Sequence, residues 1–214
     1  FMGYAVSAGT GLKYSYKDQD WDVQLGYFPR MLPSDLRYSP EVGRYADLND
    51  NAIAFTQSRQ DNEKRNQFNA RVARTFNSEG WKTEVGASLA TAQLYNATTK
   101  DNGDYWAAGV HAIISKGLWT VTTQAIRYEY DPENPSGVSN DSVLMGGNGL
   151  TPAYLIASKA SLASLNVGYD IHTPRLGQLK KIKLYSDYSR MMKDKSAWDD
   201  SQMFTVGAQF LAMP

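Results

Sequence analysis

Apolar and polar residues alternate along most of this chain. Near its end, Phe204, Val206, Ala208, Phe210 and Ala212 fall on one side of an extended segment, with Met203, Thr205, Gly207, Gln209 and Leu211 on the other. Period-two alternation is the mark of a strand with one apolar face. It recurs at Trp21-Val23-Leu25-Tyr27, Trp81-Thr83-Val85-Ala87-Leu89, Trp106-Ala108-Val110-Ala112-Ile114, Leu165-Val167-Tyr169-Ile171 and Ile182-Leu184-Tyr188. Three further strands are predicted over 4–16, 67–76 and 118–130. In 67–76, Arg74 interrupts the apolar side, where a long side chain can snorkel to a polar boundary. In 118–130 two phases compete: Trp119, Val121 and Ala125 against Leu118, Ile126, Tyr128 and Tyr130. The count is nine strands of about ten residues each, and no helical period is sustained.

The connections carry a second signal. They are predicted at 17–20, 30–65, 77–80, 93–103, 115–117, 131–159, 173–180 and 192–200, and long mostly alternates with short. Sorting of loop length by parity is a property of up-and-down transmembrane barrels, with short turns on one side of the membrane and long loops on the other. A soluble meander has no reason for it. Ten-residue strands also match the ~9–11 residues that a tilted strand needs to cross hydrocarbon, whereas sandwich strands run to about five or six. The expected fold class is therefore all-β: an antiparallel up-and-down transmembrane β-barrel, with residues 1–214 forming one domain. Parity places the first residues outside and the last inside. An odd count with ends on opposite sides points to a larger barrel of roughly 16–18 strands, incomplete here at both ends.

Composition narrows the function. Lys plus Arg equals Asp plus Glu at 22 each, so the basic excess that marks nucleic-acid binding is missing. Without cysteine there is no disulfide framework, thiol nucleophile or Cys-based zinc site. Tyr (14) and Trp (5) are plentiful while the mean hydropathy is −0.48, and no apolar run is long enough for a membrane helix.

These features resemble a Gram-negative outer-membrane porin. The resemblance covers the whole chain as a pattern. It rests on long alternating strands, loop parity, aromatics near strand ends (Tyr14, Tyr16, Trp21, Tyr27, Trp81, Trp119, Phe210) and the hairpin "LKYSYKDQDWDVQLGYF". The C-terminal aromatic residue of that family is absent. The resemblance implies a bacterial outer-membrane location and passive diffusion of small polar solutes through a water-filled pore. It also implies contact with outer-membrane lipid and lipopolysaccharide, a homotrimer, no enzymatic activity and no cofactor.

The expected lumen face holds Lys13, Asp22, Gln24, Asn69, Arg71, Lys82, Glu84, His111, Gln124, Asn166, Asp170, Lys183, Asp187 and Gln209. Neither sign dominates, so weak charge selectivity is expected. The plainer reading is an ordinary solvated sheet face. The 30–65 connection is the first candidate for a loop that narrows the pore, with Arg37, Arg44 and Arg59 beside Asp35, Asp47 and Asp61. The glycine-rich 131–159 connection is the second, and its composition favours a flexible surface loop. The acidic clusters Asp18-Asp20-Asp22 and Asp101-Asp104 have a calcium-like density of oxygens but lack the EF-hand's glycine and distal glutamate, and turns are rich in Asp anyway. No metal is expected. With two histidines and no G-x-S-x-G, a hydrolase has thin support.

Two other classes remain open: a soluble all-β carbohydrate-binding module, and an outer-membrane enzyme or adhesin barrel. A soluble module would bury Trp21, Val23, Leu25, Trp106, Val110, Phe204 and Val206. A porin would present them as one exposed band.

Overall fold

The computed structural model describes residues 9–31, 60, 62–145, 154–176 and 179–212. Eleven strands appear among them: β1 (Gly9–Lys17), β2 (Trp21–Met31), β3 (Asn62–Ser78), β4 (Trp81–Asn96), β5 (Asn102–Lys116), β6 (Trp119–Asp131), β7 (Ser142–Met145), β8 (Tyr154–Ala157), β9 (Lys159–Leu176), β10 (Leu179–Lys193) and β11 (Ser201–Ala212). Nine of them form a single antiparallel sheet in the order β1-β2-β3-β4-β5-β6-β9-β10-β11. This is an up-and-down meander, and no described residue is helical. The short strands β7 and β8 form a separate hairpin inside the β6–β9 connection.

The nine sheet strands are those expected, but most are longer. β3 begins at Asn62 and β2 continues to Met31, so Arg30, Glu63, Lys64 and Arg65 belong to strands and not to a 30–65 loop. β9 and β10 likewise extend to Leu176 and from Leu179, which reduces the expected 173–180 loop to a short connection. Residues 4–8 of the first predicted strand lie outside the described residues. With these bounds the parity is complete. The β1–β2, β3–β4, β5–β6 and β9–β10 connections are tight and share one end of the sheet; the other four are longer and share the opposite end.

Register places every alternating set in phase. Tyr16, Val23, Val72, Ala87, Val110, Ala125, Ala163 and Arg190 form one cross-strand row. That row starts one residue from the turn end of β1 and finishes eleven residues from the turn end of β10. Seven interstrand steps of about 4.8 Å therefore accompany about 33 Å of slide along the strands, so strands whose turns share a plane tilt by roughly 45°.

Among the described residues nothing covers the apolar face. Val110 is 59% exposed, and Phe204 and Val206 are each 67% exposed. Trp21, Leu25 and Trp106 are exposed as well, and Val23 is half-buried. Aromatic residues stand at both rims: Trp21, Phe76, Trp81 and Trp119 at the turn end, and Tyr27, Phe68 and Trp106 toward the loop end. Cations edge the turn-end rim. The Arg74 guanidinium lies 5.1 Å from the Trp21 ring and 4.9 Å from Phe76, and Lys116 Nζ lies 4.4 Å from Trp81. The competing phases of 118–130 resolve with Trp119, Val121 and Ala125 outward and Ile126, Tyr128 and Tyr130 on the polar face.

Among the described residues, a buried apolar cluster sits on the polar face at the loop end. Tyr105, Tyr128, Tyr130, Leu94, Leu162 and Met191 pack there with Val143 of β7, which is fully buried. The described parts of the β6–β9 connection, 132–145 and 154–158, are thus packed against the sheet, while the Gly146-Gly147-Asn148-Gly149 run on which the expectation of a flexible loop rests lies outside the described residues. Tyr128 donates its hydroxyl to Ala157 O at 2.9 Å, and Gln60 Nε2 donates to Ser142 O at 2.7 Å. Asn62 Nδ2 donates to Asn134 Oδ1 at 2.8 Å, and Asn96 Nδ2 donates to Asn62 Oδ1 at 2.9 Å. These bonds tie the connection to β3 and β6 across the polar face.

Val143→Ala should lower unfolding stability by about 1–2 kcal/mol through a cavity at a fully packed site. Tyr128→Phe should cost about 1–2 kcal/mol by leaving the Ala157 carbonyl without its donor. Urea unfolding in detergent reads both, and limited proteolysis should show faster cleavage within 132–142.

Asp18 holds the β1–β2 turn by accepting from the Trp21 and Asp20 amides (2.7 and 2.8 Å) and the Tyr16 hydroxyl (2.7 Å). Those bonds, the Trp21 amide first, keep its carboxyl below the usual aspartate range. A depressed carboxylate stabilises the fold at pH above its unfolded value, and that contribution is lost as pH falls through its folded value. Asp18→Ala should therefore lower the unfolding midpoint at neutral pH, and the gap from the native chain should close only in strong acid.

Candidate functional site

All fourteen polar residues singled out for one face do share it, because each register row keeps the alternation in phase. Five of them meet in a network near the middle of β2–β5. Arg71 of β3 donates from one terminal nitrogen to Asp22 Oδ2 of β2 at 2.7 Å, and from the other to Glu84 Oε1 of β4 at 2.8 Å. His111 Nε2 of β5 lies 3.0 Å from the same Glu84 oxygen. Gln24 Nε2 donates to Asp22 Oδ1 at 2.9 Å. Arginine suits this position because its planar fork reaches two carboxylates at once. His111 reaches across because its cross-strand partner is Gly86. A Cβ there would lie 2.4 Å from the imidazole Cε1, so the ring rests in space that only glycine leaves.

The remaining candidates spread along the same face. Asn166 Nδ2 donates to Asp187 Oδ1 at 2.5 Å, and Lys181 pairs with Asp170 at 2.5 Å. Lys183 leans over Gly168, and Gln209 stands opposite it in register on the edge strand β11. Gln124 is in register with His111, and Lys82 lines a small hollow at the turn end with Asp18, Asp22 and Glu84. In the acidic cluster, Asp18 is engaged by the turn and Asp22 by Arg71. Arg37, Asp35, Arg44, Asp47, Arg59 and Asp61, the candidates for a narrowing loop, lie outside the described residues.

Toward the loop end the wall changes character. Above the network is a hollow of about 510 Å³ lined by Lys13, Gln24, Asn69 and Arg71, together with Lys64, Gln67, Phe28 and Tyr105. Lys64 and Gln67 are absent from the sequence-derived set. Gln67 simply continues the phase of Asn69 and Arg71, whereas a bulge brings in Lys64. The β3–β4 register shifts between Arg65 and Phe68, where Asn66 takes a left-handed φ of 51°. The extra residue reverses the phase, so Lys64 shares a face with Gln67, Asn69 and Arg71. Its Nζ donates to the Tyr130 hydroxyl at 3.2 Å and lies 3.7 Å from the Tyr105 ring centroid. Only an asparagine at a strand position hints at such a bulge in the sequence.

This arrangement presents hydrogen-bond donors, acceptors and paired charges along one face. Among the described residues, no three His, Cys, Asp or Glu side chains cluster as metal ligands. No family model, curated protein or solved structure matches the chain.

Arg71→Gln should destabilise the sheet by about 1–2 kcal/mol, because two half-buried carboxylates lose their shared cation. Arg71→Lys should restore little, since an ammonium cannot span both. Adding Asp22→Asn to Arg71→Gln should recover part of the loss, read as a double-mutant cycle in urea.

Proposed function

We propose that this sheet is part of the wall of a transmembrane β-barrel in a Gram-negative outer membrane. In this reading the protein is a porin-type channel passing small hydrophilic solutes by diffusion, without a catalytic step. The observation that carries the proposal is the uncovered apolar face with aromatics at both rims. Nine strands and the distance between rims make it about 1,000 Å² in area, against the 300–600 Å² of the largest patch on a typical soluble monomer. On β5 the rims are ten residues apart, from Trp106 to Lys116. At roughly 45° of tilt that is about 23 Å, close to the ~25 Å apolar band of outer-membrane barrels. Complete loop parity and the progressive stagger support the same reading.

The soluble carbohydrate-binding alternative needs a layer over Val110, Phe204 and Val206, and the described residues supply none. The polar face then becomes the lumen wall, and the anchored β6–β9 connection is the described segment that narrows it. The edge strands β1 and β11 run in the same direction, since eight antiparallel steps separate them. An all-antiparallel barrel built on this sheet needs an odd number of further strands between them.

Purified protein added to a planar bilayer should give stepwise conductance that persists in dilute salt. Protein that stays soluble without detergent and never inserts would overturn the proposal. Arg71→Gln should move the reversal potential toward cations, because it uncovers Asp22 and Glu84 in the lumen. Val110→Arg should cost about 2–4 kcal/mol of folding stability in lipid, as a charge near the membrane midplane does.

A further inference from the structure

We infer that the hollow at the loop end of the polar face is a binding site for a hydroxylated organic anion of about the size of a sugar acid. The inference rests on the reading of that face as a water-filled lumen wall, through which solute reaches the hollow.

The first ground is charge. Three basic side chains line the hollow, Lys13, Arg71 and the buried amine Lys64, and no carboxylate does. Arg71 is neutralised from the turn side by Asp22 and Glu84. Lys13 and Lys64 have no carboxylate partner among the described residues. Lys64 is 1% exposed, held by the Tyr130 hydroxyl and the Tyr105 ring. A buried amine flanked by tyrosines and facing a hollow is matched by an anion that brings its own negative charge.

The second ground is independent of charge. Gln67 lines the same hollow and is 5% exposed, yet its Oε1 has no hydrogen-bond partner. Its Nε2 is already donating to Asn69 Oδ1 at 3.0 Å. A buried acceptor without a donor destabilises the fold, and a ligand hydroxyl would supply the missing bond. Chloride and sulfate have no such donor.

The third ground is shape. A Cβ at Gly26 would lie 2.9 Å from Cε2 and 3.4 Å from Cζ of Phe28, so one edge of the ring fills the space the glycine leaves. Phe28 gives the hollow an apolar side suited to the C–H groups of a sugar ring. Gly109, Ala90 and Ala107 keep the floor low. The volume falls within the ~300–1,000 Å³ of small-molecule sites. A carboxylate at Lys13 and Lys64, a hydroxyl to Gln67 and C–H groups against Phe28 satisfy all three features.

Isothermal titration of the full chain in detergent, at pH 7 and low salt, tests this with glucuronate, glucose and inorganic sulfate as probes. Glucuronate should bind saturably and about tenfold more tightly than either glucose or sulfate. Lys13→Ala should weaken it about tenfold, while Lys183→Ala, on the same face but outside the hollow, should leave it unchanged. Gln67→Leu should narrow the preference for glucuronate over sulfate. Absence of saturable binding, equal affinity for glucose, equal affinity for sulfate, or equal effects of the two lysine substitutions would overturn the inference. Should Lys64→Met fail to fold, Lys13→Ala and Gln67→Leu decide. Bilayer conductance separates the two readings. Channels without glucuronate binding remove the site and leave the pore, while binding without channels removes the pore and leaves the site.

Discussion

An antiparallel ladder ties the facing of each residue to that of its cross-strand neighbour, and a slip of one residue turns a whole strand over. Everything distinctive here depends on that coupling holding across nine strands. The row from Tyr16 through Val110 to Arg190 stays in phase over seven steps, so apolar sets that are separate in sequence fuse into one surface. The same phase brings Asp22, Arg71, Glu84 and His111, from four strands, within reach of one another. Hydrogen bonding sets the ladder and alternation sets the faces, and the charged network follows from both.

The tight turns keep that phase. The β3–β4 and β5–β6 connections are two residues each, with Gly80 and Gly117 at positive φ, so neither adjoining strand can slide. Asp18 does the same for β1–β2 through the amides of Asp20 and Trp21. At the opposite end the connections are longer, and order there comes from side chains instead: the Asn62–Asn96–Asn134 bonds, the Gln60 contact and Val143 packed among tyrosines. The two ends of the sheet are therefore stabilised by different chemistry, backbone geometry at one and buried polar ladders at the other.

The nine strands of the sheet, their order of pairing and the face of all fourteen polar candidates were legible in the sequence, because period-two alternation is a local signal. What escaped depended on non-local or phase-breaking features. Lys64 was hidden by the bulge at Asn66, which inverts the alternation that Phe68, Ala70 and Val72 announce. Tyr128 and Tyr130 were ambiguous because, with Leu118 and Ile126, they are out of phase with Trp119, Val121 and Ala125, and both sets are apolar. At the height of the two tyrosines the strand has passed the apolar band, so charges face outward, where Arg127 meets Asp194 and Glu129 meets Lys159. The β7–β8 hairpin was missed because four-residue strands carry too little alternation to be seen, and what holds it is the burial of Val143.

Zero net charge conceals how charge is arranged on the polar face. On the turn side of Arg71, carboxylates and cations alternate and pair, so the wall there is polar but nearly neutral. On the loop side, Lys13 and Lys64 stand without carboxylates among the described residues, beside a floor of small residues. In the proposed channel, a wall with uniform pairing would pass ions with little regard to sign, whereas a basic hollow above a neutral network would hold anions briefly before they move on. Such a sequence of weak binding and neutral passage is what conduction with modest selectivity would require, since a site must be favourable enough to enter and weak enough to leave. Arg71 marks the boundary between the two zones: the carboxylates that hold it in place also keep its charge from extending the hollow toward the turns.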